Sequence, residues 1–282
     1  MFNNALKKDS LNNLENSQER YNNFALIVQE KSMELYELRK NTSNEVIVSV
    51  ENYINALANS PKNFDKSFLE YKAEFKLFND LIHELEVEAA KSNIKAGSTA
   101  GAGVAAGVGV AALGPTAAIA IATTFGTAST GTAIATLSGA AATNAALAWL
   151  GGGALSIGGG GMAAGNALLA LAGPIGWTLG GIGLLGGSIM FWHKNKKIAE
   201  KANEQRKQIE LGIATLSAAK YEIESIISQT NLHANGVKNL LFTLKEKAPD
   251  DYVEFSNDQK SKLAALINHI ESLSKLLNKK IK

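Results

Sequence analysis

The chain contains no cysteine, which excludes disulfides and thiolate metal sites and leaves its redox compartment open. It has only four prolines in 282 residues. Asp, Glu, Lys and Arg are all missing from Ala96 to Trp192, a run of 97 residues. Glycine is almost missing elsewhere: 24 of 26 lie in that run, leaving Gly212 and Gly236 outside it. An ordinary soluble domain does not need so long an uncharged stretch. Such residues suit lipid, or an interior that never meets water.

Catalytic signatures are missing as well. There is no HExxH, GxSxG or Walker A loop. His83, His193, His233 and His269 are scattered, with no partner at metal-ligand spacing, and read as surface or seam residues. Gly181-x-Gly183-x-x-Gly186 formally matches a dinucleotide fingerprint, but it lacks a strand–helix–strand context and sits inside the apolar run. Glu84, Glu86 and Glu88 alternate around a helix and do not converge. The expectation is a protein that is not an enzyme, with no catalytic, cofactor or metal site.

What remains is helical in pattern. The net charge of +2 hides an asymmetry. Residues 1–95 carry 12 basic and 15 acidic side chains, net −3; residues 193–282 carry 16 and 11, net +5. The two flanks attract one another, and neither is basic enough to argue for nucleic acid. In the first flank, Ser10 is placed to cap a helix opening at Leu11. Leu14, Tyr21, Val28 and Leu35 recur every seven residues, and the helix is expected to close near Asn41-Thr42-Ser43. A shorter helix with Val46, Val50, Tyr53, Ile54 and Leu57 follows. Ser60-Pro61 reads as an N-cap and first helical residue. The clearest seam is Phe64, Phe68, Tyr71, Phe75, Phe78, Ile82 and Leu85, spaced alternately four and three and heavy in aromatics. The second flank repeats the spacing through Ile198, Ala202, Ile209, Ile213, Leu216, Ile223, Ile227, Val237, Leu241 and Leu244. Its phase carries through Asn235-Gly236 to a stop at Pro249-Asp250-Asp251. Ser256 is placed to cap a last helix with Leu263, Leu266, Ile270, Leu273, Leu277 and Ile281.

Within the uncharged run, glycines four apart recur as Gly97/Gly101, Gly103/Gly107, Gly161/Gly165, Gly176/Gly180 and Gly183/Gly187. Such pairs share a helix face and let two backbones approach closely, which is how helices associate in lipid. In water each costs about 1 kcal/mol of helix stability relative to Ala. Breaks at Gly114-Pro115, Gly126–Gly131, Gly151–Gly153, Gly158–Gly161 and Gly173-Pro174 leave apolar lengths of roughly 17–20 residues, about a bilayer's thickness. Ala96–Leu113, Gly131–Leu150 and Pro174–Trp192 are the best spans. The apolarity is shallow, because Ala and Gly insert weakly and Ser, Thr and Asn recur. A head of this kind can stay soluble while folded against its own bundle or in an oligomer, and insert later. Lys91 and Lys95 precede the run, and Lys194, Lys196, Lys197 and Lys201 follow it. If positive residues stay on one side, the crossings number two or four. Lys95, Trp192, Lys194, Lys196 and Lys197 are then the anchors at the membrane–water boundary.

The expected fold is all-α. An elongated helical bundle or coiled-coil body, residues 1–95 and 193–282, carries a Gly/Ala-rich membrane-inserting head, residues 96–192. This arrangement, with seams at Phe64–Leu85 and Ile209–Leu244 around Ala96–Trp192, resembles the α-helical pore-forming toxins of the cytolysin A type. That resemblance implies a head tucked away in a soluble form and released to build a helical pore. The run from Ala122 to Gly153 looks like the glycine-zipper membrane modules of bacterial proteins and effectors. A remoter likeness is to the apolipoprotein L type.

The expected partners are a lipid bilayer, further copies of the chain in an oligomer, and a partner toxin component or regulatory protein. The start of the sequence lacks the apolar core of a secretory signal peptide. A protein made in the cytosol is therefore expected, acting at the inner membrane or, after export, at a target-cell membrane. Two other readings stay open: a membrane-anchored scaffold without pore activity, and a soluble oligomeric structural protein with a buried glycine-rich core.

Overall fold

The computed structural model describes residues 2–97, 120–121, 123–125 and 190–281, and among these it is helical without strands. Helix α1 runs over Phe2–Ala56, α2 over Lys62–Gly97, α3 over Met190–Lys247 and α4 over Asn257–Leu277; a 3₁₀ turn, Tyr252–Glu254, precedes α4. At 1.5 Å per residue, the 55 and 58 residues of α1 and α3 make rods of roughly 80–90 Å.

Side-chain pairs set the directions. Asn203 to Ser10, Ser17 to Glu210 and Arg20 to Glu210 keep a nearly constant sequence offset, so α1 and α3 run parallel. Ser67 to Glu271 and Asn278 to Glu74 do the same for α2 and α4. The two pairs are antiparallel to each other, giving an up-down-up-down bundle. Helix α1 lies along α3, and α4 lies against α3 and α2. Between α1 and α2 the space is bridged by large side chains. Tyr36 meets Phe78 with ring centroids 6.2 Å apart, Tyr53 meets Phe64 at 6.3 Å, and the Tyr71 hydroxyl donates to Ser43 Oγ at 2.8 Å. This is why the α2 seam is aromatic: rings span a gap that aliphatic side chains would leave open.

The seams expected from the sequence form the core. Phe64, Phe68, Tyr71, Phe78 and Ile82 are buried, and Phe75 packs partly buried against them; Leu85 lies on α2, with its side chain outside the described residues. On α3, Ile209, Ile213, Leu216, Ile223 and Ile227 are buried in the same cluster.

The two short connections meet at one end of the bundle. Ala58 N–H donates to Asp250 O at 2.7 Å, and Tyr252 N–H donates to Ala58 O at 3.0 Å. Asn59, with φ 54°, turns the chain there and donates from Nδ2 to the Asp251 carboxylate at 2.9 and 3.0 Å. Ser256 caps α4 in a capping box with Gln259, as its spacing before the Leu263–Ile281 seam predicts.

Two expectations about the first flank do not hold. Ser10 does not open a helix, and Asn41-Thr42-Ser43 does not close one; α1 passes unbroken through both. Neither Pro nor Gly occurs within Phe2–Ala56, so nothing there forbids a helix. The polar residues read as breaks are packing partners instead. Ser10 is buried and accepts from Asn203 Nδ2 at 3.3 Å, and Thr42 and Ser43 are buried too. Tertiary packing, more than intrinsic propensity, carries so long a helix.

Candidate functional site

Helix α4 has 21 residues and stops while α1 and α3 continue beside it. Beyond its last turn, the row is taken up by residues from the uncharged segment. Ala120, Ile121, Thr123, Thr124 and Phe125 are all buried, and the three apolar ones belong to the same core cluster as the four helices. Part of the expected head thus packs into the body. Its own hydroxyls are satisfied locally: Thr123 and Thr124 Oγ1 both donate to Ala120 O, at 3.0 and 2.7 Å. Its carbonyls are taken by the chain's C-terminal residues. Ile281 N–H donates to Thr124 O at 3.1 Å, and Lys280 Nζ donates to Thr123 O at 2.9 Å.

That tail is itself held by Arg39 of α1. The guanidinium is 1% exposed; Nη2 donates to Leu276 O at 2.8 Å and to Lys279 O at 2.6 Å. The last carbonyls of a helix lack intrahelical partners and carry the negative end of its dipole, so a cation suits them. The fit is incomplete, because Arg39 Nε and Nη1 are buried without a hydrogen-bond partner. Burial pulls Arg39 down to about 10. It pulls Lys280 down to about 8, with the charge of Arg39 adding to the effect. Two cations therefore share a poorly solvated corner, where they bind backbone carbonyls.

Of the expected anchors, Lys196 and Lys197 are exposed on the first turns of α3, and Lys196 lies 3.8 Å from Glu200. Lys95 lies on the last turn of α2, and Trp192 and Lys194 on the first of α3; their side chains are outside the described residues. Gly97 is the last residue of α2. Gly101, Gly103, Gly107, Gly161, Gly165, Gly176, Gly180, Gly183 and Gly187 lie outside the described residues, as does Gly181-x-Gly183-x-x-Gly186. Among the described residues no helix is long and apolar enough to cross a membrane, and none of their His, Asp or Glu side chains gather in a cluster of three that could hold a metal.

Sequence reasoning missed two features. One is Arg39, which stands in a row every seventh residue with Gln18, Ala25 and Ser32, beside the apolar row Leu14 to Leu35. Gln18, Ser32 and Arg39 are buried, so the seam has a polar row whose spacing was the available signal. The other is a pairing of two of the histidines read as scattered surface or seam residues. His233 Nδ1 and His269 Nδ1 are 2.9 Å apart across α3 and α4, with ring centroids 5.1 Å apart. The two nitrogens thus point nearly head-on, an arrangement that holds one shared proton. Gly236 makes the space: a Cβ there would stand 2.5 Å from the His269 ring. Burial, then the charge of His269, pulls His233 below its ordinary value.

Compared with protein-family models, with curated proteins and with solved structures, the chain matches none.

Proposed function

We propose that this chain permeabilises membranes. In this reading the four-helix body keeps the protein soluble and governs release of the uncharged segment, Ala96–Trp192, which enters a bilayer and associates through its paired glycines. The observation that carries it is the composition of the segment. Ninety-seven residues without an ionisable side chain, flanked by lysines, are what hydrocarbon demands and water does not. The burial of Ala120, Ile121, Thr123, Thr124 and Phe125 in the body supports a stored form that precedes insertion. The architectural resemblance to cytolysin A-type toxins points the same way. Leu211, Tyr221, Leu232 and Phe242 of α3 are large apolar residues left exposed, and they offer a surface on which copies of the chain meet.

Dye-loaded vesicles of phosphatidylcholine and phosphatidylglycerol test the reading. Micromolar protein is expected to release the dye, and Gly183→Leu to suppress release by separating helices that need close approach. Protein that leaves several lipid mixtures intact contradicts it. The same burial of those five residues also favours a second reading, a soluble oligomer whose core is the glycine-rich segment. That protein would form a defined large species without detergent and would ignore vesicles altogether.

A further inference from the structure

Four facts bear on how the uncharged segment is held. Helix α4 is shorter than its neighbours, and residues 120–121 and 123–125 continue its row. The carbonyls of Thr123 and Thr124 are taken by Lys280 and Ile281, at the far end of the chain. The α4 terminus that positions those two residues is gripped by Arg39. Ile121 and Phe125 are buried, at 1% and 3% exposed, so nothing short of leaving the bundle brings them to lipid.

We propose that Ala120, Ile121, Thr123, Thr124 and Phe125 form a latch, clamped by Lys280–Ile281 and braced by Arg39, whose undocking is the step that frees the uncharged segment from the body. This rests on the membrane reading for its purpose, though not for its mechanics. The polar contacts to Thr123 and Thr124 are replaceable. Two of the clamping bonds are to backbone carbonyls that water or any helix serves equally well, and the brace leaves two guanidinium nitrogens unpaired. A group docked this way has an open state within reach, because the bonds lost on opening are remade elsewhere. Opening also frees Lys280 and relieves its crowding with Arg39, so the two cations bias the latch against staying shut.

The chain has no native cysteine, so Thr124→Cys with Ile281→Cys supplies the only thiol pair, at positions whose backbones already share a hydrogen bond. Joined by oxidation or a short bis-thiol reagent, the full-length protein is expected to release no dye from vesicles of equal parts phosphatidylcholine and phosphatidylglycerol, and to regain release when the link is cut. Deleting Lys279–Lys282, which removes the bonds to Thr123 O and Thr124 O, or changing Arg39→Met, which removes those to Leu276 O and Lys279 O, is expected to speed release by at least about tenfold. A linked protein that releases dye as fast as the unlinked one overturns the latch. If no form releases dye, the membrane reading fails and the latch is decided without lipid. Amide exchange at Ala120–Phe125 must then quicken in the tail deletion and in Arg39→Met while the four helices keep their protection. Unchanged exchange there overturns it.

Discussion

The two ends of α4 are built on different terms. At its start the backbone is capped and paired, by a capping box at Ser256, backbone bonds between Ala58 and residues 250–252, and Asn59 on the Asp251 carboxylate, while the buried Tyr53 hydroxyl has no hydrogen-bond partner among the described residues. At its finish the carbonyls depend on a buried arginine with two idle nitrogens, and the next residues hold a piece of another region of the chain. The first end closes connections of a few residues. The second clamps residues of the uncharged segment.

Large truncations sharpen this contrast most. Phe64→Ala, at the closed end, is expected to cost the body about 3–5 kcal/mol, read from urea unfolding. Phe125→Ala is expected to leave the body's unfolding midpoint nearly unchanged and to quicken amide exchange only around Ala120–Phe125. Equal global losses from both would break the distinction between a permanent joint and a detachable one.

Ser256→Ala removes a cap and is expected to cost about 1 kcal/mol at the closed end. Gly236→Ala sets two effects against each other. The helix gains about 1 kcal/mol of propensity, and a displaced His269 ring loses its partner at similar cost. Net stability is expected to move by less than about 1 kcal/mol. What changes is the response to acid. His233 is lowered in the folded protein, so its contribution is fully present above about 6.5 and is lost as pH falls through its lowered value. The urea midpoint of the parent protein should therefore drop on that side, and Gly236→Ala should flatten the drop.

A further effect lies at the alkaline side and belongs to the clamp. Between about 8 and its ordinary value of 10.5, Lys280 is neutral when docked and charged when free, so stability rises with pH across that window. Tyr21, Tyr53 and Tyr71, pushed up to about 12 by burial, reverse the trend above pH 10, where the unfolded chain ionises first. Midpoints measured from pH 8 to 12 should pass through a maximum near 10, and Lys280→Met should remove the rising limb but keep the falling one.

Much of the body was legible in the sequence because its seams obey local periodicity. Phe64 to Ile82 and Ile209 to Leu244 are buried as their four-three spacing requires, α3 ends before Pro249, and Ser256 caps α4. Continuity of α1 was not legible, since Ser10 and Thr42-Ser43 look like caps until their burial partners on α3 and α2 are known. Arg39 was hidden because a lone arginine in an apolar stripe reads as an interruption. Nothing nearby in sequence announces the carbonyls of Leu276 and Lys279 that receive it. The histidine pair joins residues 36 apart on two helices, which no spacing rule connects. Ile121, Thr123, Thr124 and Phe125 resemble every other part of the uncharged run, and only the length at which α4 stops singles them out.

All three tryptophans, Trp149, Trp177 and Trp192, lie in the uncharged segment, Trp192 where it runs into α3. Intrinsic tryptophan emission therefore reports on that segment alone, and brominated lipids quench it only on contact with acyl chains. On adding vesicles of brominated phosphatidylcholine, the account predicts strong quenching together with unchanged far-ultraviolet helicity, because the body persists while the segment moves into lipid. Tryptophan emission that is indifferent to those vesicles, from protein that remains soluble beside them, would contradict it.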